Sequence, residues 1–328
     1  MKCPRFRHFA RINHDGTIGI CGHMVNGKKY NTYEDLERST WIEHLENTMQ
    51  NNQWPNECVR CQRTEQIGGK SVRQASIDRD NILKPIISDY LIVGGILDNV
   101  CNSACQTCDS SLSTKIGSLE SKNYKKINHY EQFSLLPQQR ILEVDVSGGE
   151  PTASKNYKKL LRNLPKHTKI VRMNTNGSRM IDEIESMLQQ DITVIVTVSL
   201  DGIGDVHDYV RWPIKWDTVR HTVNSYIRLQ KEYKLLYLDT WTTVSCLNIR
   251  DLPNIQKYVN EKKIKHNWAF LETPGVLSVR HKNEFTKPAK HLFPEQVAVT
   301  DDNTEALNKF IAGQDQLRGI DIKDYLNF

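Results

Sequence analysis

The chain predicts an α/β fold built on a parallel sheet, and three observations carry that expectation. Six apolar runs of strand length recur between residues 90 and 271. Between them lie segments whose apolar residues fall at three- and four-residue steps, as on one buried helix face. Each run stops in polar turn residues. Strand and helix in alternation imply right-handed crossovers, helices layered on the sheet, and ligands at the carboxyl ends of the strands.

Residues 1–87 precede the alternation and contain Cys3, Cys21, Cys58 and Cys61. The stretch from Cys3 and the stretch from His14 to Cys21 read as two short strands joined across the Asp15-Gly16 turn, a strong hairpin signal. One amphipathic helix is expected next, with Leu36, Trp41, Leu45 and Met49 near helical steps, followed by the Cys58-x2-Cys61 pair. Four thiolates close one site, and this spacing suits zinc as well as an iron–sulfur cluster. Two disulfides fit poorly, since nothing else in the chain suggests an oxidising compartment.

The first run, Tyr90–Leu97, leads into Cys101, Cys105 and Cys108, spaced Cys-x3-Cys-x2-Cys. A four-iron cubane normally takes four thiolates, so three leave one iron open to a substrate. The alternatives are a zinc knuckle or cysteines buried as small hydrophobes. Structural zinc prefers four ligands in paired spacing, and this triplet stands alone. A polar connection over 110–140 then reaches the second run, Ile141–Ser147, which ends in Gly148-Gly149-Glu150-Pro151. Two adjacent glycines let a backbone come close to a ligand.

Thr168–Met173 runs into Asn174-Thr-Asn-Gly177, and Ile192–Leu200 into Asp201-Gly202. Leu236–Ser245 leads to Cys246-Leu-Asn248, and His266–Leu271 to Glu272-Thr-Pro274. The helical patterns between them are Tyr157–Leu164, Ile181–Leu188, Val219–Leu229 and Leu252–Val259. After a turn-rich part around Pro288 and Pro294, Thr304–Gly313 reads as a helix with Leu307, Phe310 and Ile311 on its apolar face, stopped by Gly313. Ile320, Ile322, Tyr325 and Leu326 are expected to dock the end of the chain, a structural rather than catalytic tail.

The three-cysteine loop, the Gly-Gly-Glu segment and the ordered strand ends together resemble the radical S-adenosylmethionine (SAM) superfamily. The resemblance implies a partial (β/α)6 TIM-like barrel, which six strand–helix units match better than a full eight-unit barrel. It implies that Cys101, Cys105 and Cys108 hold a 4Fe-4S cluster whose open iron takes the amino and carboxylate groups of SAM. Gly148, Gly149 and Glu150 would then receive the SAM ammonium. Ser199, with Asp201, would lie at the ribose hydroxyls, and Asn176 would be a further cofactor contact. Arg211, in Asp208-Tyr-Val-Arg211, would sit near the SAM carboxylate, a bidentate task suited to arginine. Ordinary strand-ending turns remain the alternative for Ser199 and Asp201, and a surface arginine for Arg211.

One position departs from the family. Thr107 stands where relatives carry an aromatic or large apolar residue near the adenine; Trp241, Trp268 and Phe270 are alternatives for that packing, each more readily explained as core. The amino-terminal cysteines resemble the SPASM and twitch accessory domains, with a second 4Fe-4S cluster in the twitch case. Glu65-x2-Gly68-Gly69-x-Ser71-x-Arg73 resembles twitch-containing proteins whose accessory domain precedes the barrel. Zinc stays the alternative metal there.

The expected organisation is therefore an accessory domain over 1–87, a barrel core over 88–275 and a helical extension over 276–328, a division that 328 residues can accommodate. The resemblance implies an external one-electron donor of the flavodoxin or ferredoxin type. It also implies hydrogen abstraction from a substrate, with oxidation or cross-linking of a peptide or protein side chain as the leading reading. A nucleotide, nucleic acid or small metabolite is the second reading, and a non-catalytic iron–sulfur or zinc binding protein the third. No apolar run approaches the ~18 residues of a membrane span, and the start lacks a signal peptide's apolar core, so a cytoplasmic enzyme without a membrane partner is expected. A net charge of +5 is mild for this length. The local basic clusters at 157–169 and 261–266 read as solvated faces and leave nucleic acid open as a substrate.

Overall fold

The computed structural model describes residues 1–66, 68–121, 124–283, 285–286 and 300–326. The part around Pro288 and Pro294, and Lys122 and Asn123 of the polar connection, lie outside these residues.

Eight strands form one open sheet: β1 (Phe9–Ile12), β2 (Ile18–Gly19), β3 (Leu91–Ile96), β4 (Ile141–Ser147), β5 (Ile170–Thr175), β6 (Thr193–Ser199), β7 (Leu236–Val244) and β8 (Lys265–Phe270). Their order is β2-β1-β3-β4-β5-β6-β7-β8. Every pair from β1 to β8 is parallel, and only β1–β2 is antiparallel. The six runs are thus the six strands β3–β8, within two residues at each end. The amino-terminal hairpin forms across the Asp15-Gly16 turn, but the expected strand from Cys3 is helical over Arg5–His8, and the strand that pairs is Phe9–Ile12; it continues the sheet by pairing Phe9 with Ile92 and Ile12 with Gly95. A short parallel pair, β9 (His281–Lys282) and β10 (Thr300–Asp302), lies apart from it.

In the amino-terminal portion, α1 (Arg5–His8), α2 (Tyr33–Glu37), α3 (Thr40–Gln50), α4 (Val59–Gln66) and α5 (Val72–Leu83) precede β3. The single helix expected around Leu36–Met49 is two. Ser39 is extended between α2 and α3, and its side chain accepts from Trp41 N, which starts a new helix instead of continuing the old one. After β3 come α6 (Thr114–Leu119) and α7 (Tyr130–Ser134). They belong to a connection pinned to the sheet through Asn99, which donates to Ser111 O and Lys125 O and accepts from Ile127 N.

The remaining helices are α8 (Lys155–Arg162), α9 (Ile184–Leu188), α10 (Asp205–Val210), α11 (Trp216–Glu232), α12 (Leu252–Lys262) and α13 (Thr304–Arg318). Leu160, Met187, Val223 and Ile255 from α8, α9, α11 and α12 share one core with Val144, Val171, Val194 and Val196 of the strands. Each such side chain contributes about 1.5–3 kcal/mol by leaving water. The last helix does not stop at Gly313. It runs through to Arg318 and ends on Gly319, whose φ of +67° is the left-handed cap that glycine adopts without a Cβ penalty. Its Leu307 and Ile311, with Leu326, form a second core with Tyr209 and Val210 of α10 and the loops after β7 and β8.

Among the described residues, only part of the sheet face opposite the barrel helices is covered. There α5 packs Leu83 beside Phe9, Ile92 and Leu142, and Arg79 reaches Glu143 (3.3 Å) and Asp145 (3.4 Å). Along β7, Leu236, Leu238, Thr240, Thr242 and Val244 face the helices, while Tyr237 (52 % exposed) and Trp241 (40 %) face away from them. Trp241 and Trp268 (46 % exposed) are therefore not core as expected. The first lies on the uncovered face and the second on the edge strand β8. Phe270 packs against the small cluster of Val244, Ile249 and Val279.

Ile255 is fully buried, so Ile255→Ala is expected to cost about 2–5 kcal/mol. Ile82→Ala, at a side chain 61 % exposed, should stay within about 0.5 kcal/mol. Urea unfolding of both variants checks the assignment of the helix-side core.

Candidate metal centre and cofactor loops

The loop carrying Cys101, Cys105 and Cys108 leaves the end of β3 and is held from every side. Cys101 N donates to Thr114 Oγ1 (3.1 Å), Ser113 Oγ donates to Ser103 O (2.6 Å), and Cys101 Sγ accepts from Ser103 N (3.4 Å). The last residue of α10 and the turn after it add two backbone bonds, Gln106 N to Val210 O (2.8 Å) and Ala104 N to Trp212 O (2.7 Å). From the far end of the chain, Arg318 donates to Ala104 O (2.8 Å) and Cys105 O (3.2 Å).

The β4 end meets this loop directly. Gly148 and Gly149 have φ of +89° and +55°, and a Cβ on them would lie 2.5 Å from Asp98 O and 2.4 Å from Val100 O. Glycine here lets two backbones touch, and Glu150 N closes the contact by donating to Val100 O (2.7 Å). The Glu150 carboxylate is buried and fully engaged. It accepts from Thr152 N (3.1 Å), Thr152 Oγ1 (2.9 Å), Thr175 Oγ1 (2.8 Å) and Asn176 N (2.7 Å), so one side chain joins the ends of β4 and β5. Asn176 passes the connection on, its amide donating to Asn102 Oδ1 (2.7 Å) and Ser103 Oγ (2.8 Å) within the cysteine loop.

On the other flank, β6 ends at Ser199, which is half-buried, and Asp201, which is buried. Asp201 Oδ2 pairs with Arg211 Nη1 (2.5 Å) and Oδ1 accepts from Thr243 N (2.7 Å), linking the β6 end to β7 and α10. Arg211 Nε is buried without a hydrogen-bond partner among the described residues. Burial disfavours its charge, and Cys105, Asp201 and Cys101 more than offset this, so it is held above its ordinary value. Burial pushes the Cys101 and Cys108 thiols up to about 12 and raises Cys105, with Arg211 opposing the rise at Cys101 and Cys105. Neutral thiols packed beside a buried arginine fit a site whose negative charge arrives when the thiols bind metal as thiolates.

Cys101, Cys105, Cys108, Gly148, Gly149, Glu150, Asn176, Ser199 and Arg211 thus gather at the carboxyl ends of β3–β6. Sequence reasoning missed Asp98 and Arg318. Asp98 accepts from Val100 N (3.1 Å), Asn156 Nδ2 (2.9 Å) and Ser154 Oγ, the cap of α8; its position just after a strand was the available signal. For Arg318, 213 residues from Cys105, the sequence carries no signal.

Cys3, Cys21, Cys58 and Cys61 line one cavity with Arg5, His23, Met49 and Arg73. Burial pushes Cys3 up to about 12 and raises Cys58, and the neighbouring cysteines add to both shifts. The Glu65–Arg73 motif forms the frame. Arg73 grips Glu65 through two bonds (2.9 and 2.6 Å), Ser71 Oγ donates to Glu65 Oε1 (2.5 Å), and Arg73 Nη1 donates to Lys2 O (2.9 Å) beside Cys3. Arg60, next to Cys61, pairs with Glu272 after β8 (3.4 Å). Among the described residues, no three His, Cys, Asp or Glu side chains converge as the shell of a single metal ion requires. A cubane differs in this respect, since each thiolate binds a different iron.

Residues 96–245 match the family model described as the Radical SAM superfamily. The mycofactocin maturase MftC of Mycobacterium tuberculosis is 32 % identical over 117 residues, 35 % of this chain. The chain spans 29 % of that relative's length. Similar solved structures include native anSMEcpe with bound AdoMet (18 % identity, TM-score 0.42, 70 % of this chain and 62 % of that one). Another is Streptococcus suis SuiB bound to S-adenosylmethionine (14 % identity, TM-score 0.43, 95 % and 70 %).

Glu150→Gln puts an amide among four donors and is expected to cost about 1.5–3 kcal/mol for each charged hydrogen bond lost; urea unfolding of the metal-free chain would read it. His207 in α10 is fully buried, and burial, with Arg211 nearby, lowers its pKa to about 3 against the opposing effect of the Gly202 backbone. Between an unfolded value of about 6.5 and that folded value, only the unfolded chain binds the proton, so stability falls as pH falls through this window. A His207→Leu variant should show a flatter acid limb; parallel limbs for variant and parent would remove His207 from the account.

Proposed function

We propose that this chain, which carries a radical SAM superfamily domain over residues 96–245, is a radical SAM enzyme acting on a peptide or protein side chain. The observation that carries the reading is the three-cysteine loop at the end of β3, locked against the Gly148–Glu150 turn and the β5 end. When bound, a 4Fe-4S cluster supplies one electron to SAM and so generates the 5′-deoxyadenosyl radical that abstracts hydrogen from the substrate.

The chain's own residues do the rest. Cys101, Cys105 and Cys108 are the cluster ligands, and the loop's many anchors fix where the open iron faces. Glu150 stiffens the Gly148–Glu150 turn, which offers its backbone to the SAM amino group. Arg211, steadied by Asp201, takes the SAM carboxylate, and Ser199 and Asn176 flank the cofactor at the β6 and β5 ends. The electron comes from an external donor of the flavodoxin or ferredoxin type.

Cys3, Cys21, Cys58 and Cys61 would hold an auxiliary 4Fe-4S cluster in a twitch-like domain over 1–87. In its favour, all four open on one shared cavity, with Arg5 and Arg73 beside them. The peptide reading is favoured by the maturase relative and by the uncovered sheet face, where Tyr237 and Trp241 stand exposed beside Asp239.

Anaerobically reconstituted, dithionite-reduced protein is expected to release 5′-deoxyadenosine from SAM. Cys105→Ala should abolish the release, whereas Cys58→Ala should keep uncoupled SAM cleavage and lose modified product. No release from a protein shown to carry its cluster would sink the enzyme reading in favour of a non-catalytic binding protein. Equal loss in both variants would make Cys58 a folding ligand.

A further inference from the structure

Arg318 closes α13, at the far end of the chain from the matched domain, yet its side chain is buried at the cysteine loop. Its guanidinium donates to Ala104 O (2.8 Å), Cys105 O (3.2 Å), Gln314 O (3.0 Å) and Gln314 Oε1. All four acceptors are neutral carbonyl oxygens. The nearest acid on the helix, Asp315, accepts from Tyr209 OH (2.8 Å) and Ile322 N (2.8 Å) and attracts Arg318 only through space, outside ion-pair contact. A buried cation held in no contact ion pair is costly, burial lowers the pKa of Arg318, and Cys105, whose backbone Arg318 holds, is buried as well. Arg211, the other arginine near this thiol, already has Asp201 as its partner. The anion that Arg318 lacks at contact distance is one that thiolate ligation would bring to the loop.

Resting on the radical SAM reading, we propose that Arg318 is a positioning residue for the cluster. It fixes the Ala104–Cys105 turn and supplies a positive charge, held in no contact ion pair, that favours the reduced state, making the cluster's potential depend on the docked carboxyl-terminal helix. Reduction adds one negative charge, and a fixed cation in a low-dielectric setting stabilises it.

The test compares full-length wild type, Arg318→Gln, Arg318→Lys and Leu307→Ala after anaerobic reconstitution. The readouts are bound iron and sulfide, circular dichroism, and the midpoint potential of the EPR signal that changes when SAM is added, which marks the cluster in question. Arg318→Gln is expected to lower that potential and slow 5′-deoxyadenosine release about tenfold or more, while Arg318→Lys, keeping the charge, stays near wild type in potential. Leu307→Ala, which loosens the helix but keeps the guanidinium, should lower stability more than potential. A wild-type potential in Arg318→Gln overturns the proposal. If Arg318→Gln fails to load or fold, Arg318→Lys decides: a loaded Lys variant with a lowered potential also overturns it, and a wild-type potential supports it. Wild type that loads a cluster without cleaving SAM defeats the enzyme reading instead, and the potentials can still be compared.

Discussion

The buried carboxylate of Glu150 ties the ends of adjacent parallel strands to one another, and the cysteine loop hangs from that tie. Its backbone N–H holds Val100 O on the β3 side, while its two oxygens accept from the first turn after β4 and from Thr175 and Asn176 at the β5 end. Parallel strands deliver their loops to one end but do not by themselves fix those loops relative to each other. A charged acceptor with all of its hydrogen bonds made can do so, because any displacement leaves a buried charge short of donors. Asn176 extends the constraint into the loop at Asn102 and Ser103.

The electrostatics of the loop complete the picture. Burial raises the pKa of its thiols in the metal-free chain, and the site meets them with cations: Arg211, paired with Asp201, and Arg318, which forms no contact ion pair among the described residues. The amino-terminal cysteines show the same pattern on a smaller scale, sharing their cavity with Arg5 and with Arg73, whose partner is Glu65. At both places hydrogen-bonded frames, and not hydrophobic contact alone, enclose the cysteines, an arrangement that suits the proposed thiolate ligation.

Legibility in the sequence followed the physics of burial. The strands β3–β7 were readable because at least one face is buried and rich in apolar or β-branched residues, as Val194, Val196 and Val198 show in β6, whereas the edge strand β8 buries none of its residues. Breaks decided by a single side-chain bond or by a φ value were not readable. Ser39 splits the helix around Trp41 because its oxygen caps a new start, and Gly313 lies mid-helix because the left-handed turn falls at Gly319. Trp241 and Trp268 carry the composition of core, yet exposure depends on which face or edge of the sheet they occupy, and that is a property of strand order.

By itself the sequence determined the six strand–helix units, the thiol spacing after β3, the glycines after β4 and the second set of cysteines ahead of the barrel, since spacing and periodicity are local properties of the chain. Only the tertiary structure decided that β1 extends the barrel sheet, that Asp201 serves as the partner of Arg211, and that Arg318 reaches the cysteine loop from 213 residues away. These are non-local pairings, set by which surfaces pack once the sheet has formed, and a linear pattern of residues holds no record of them.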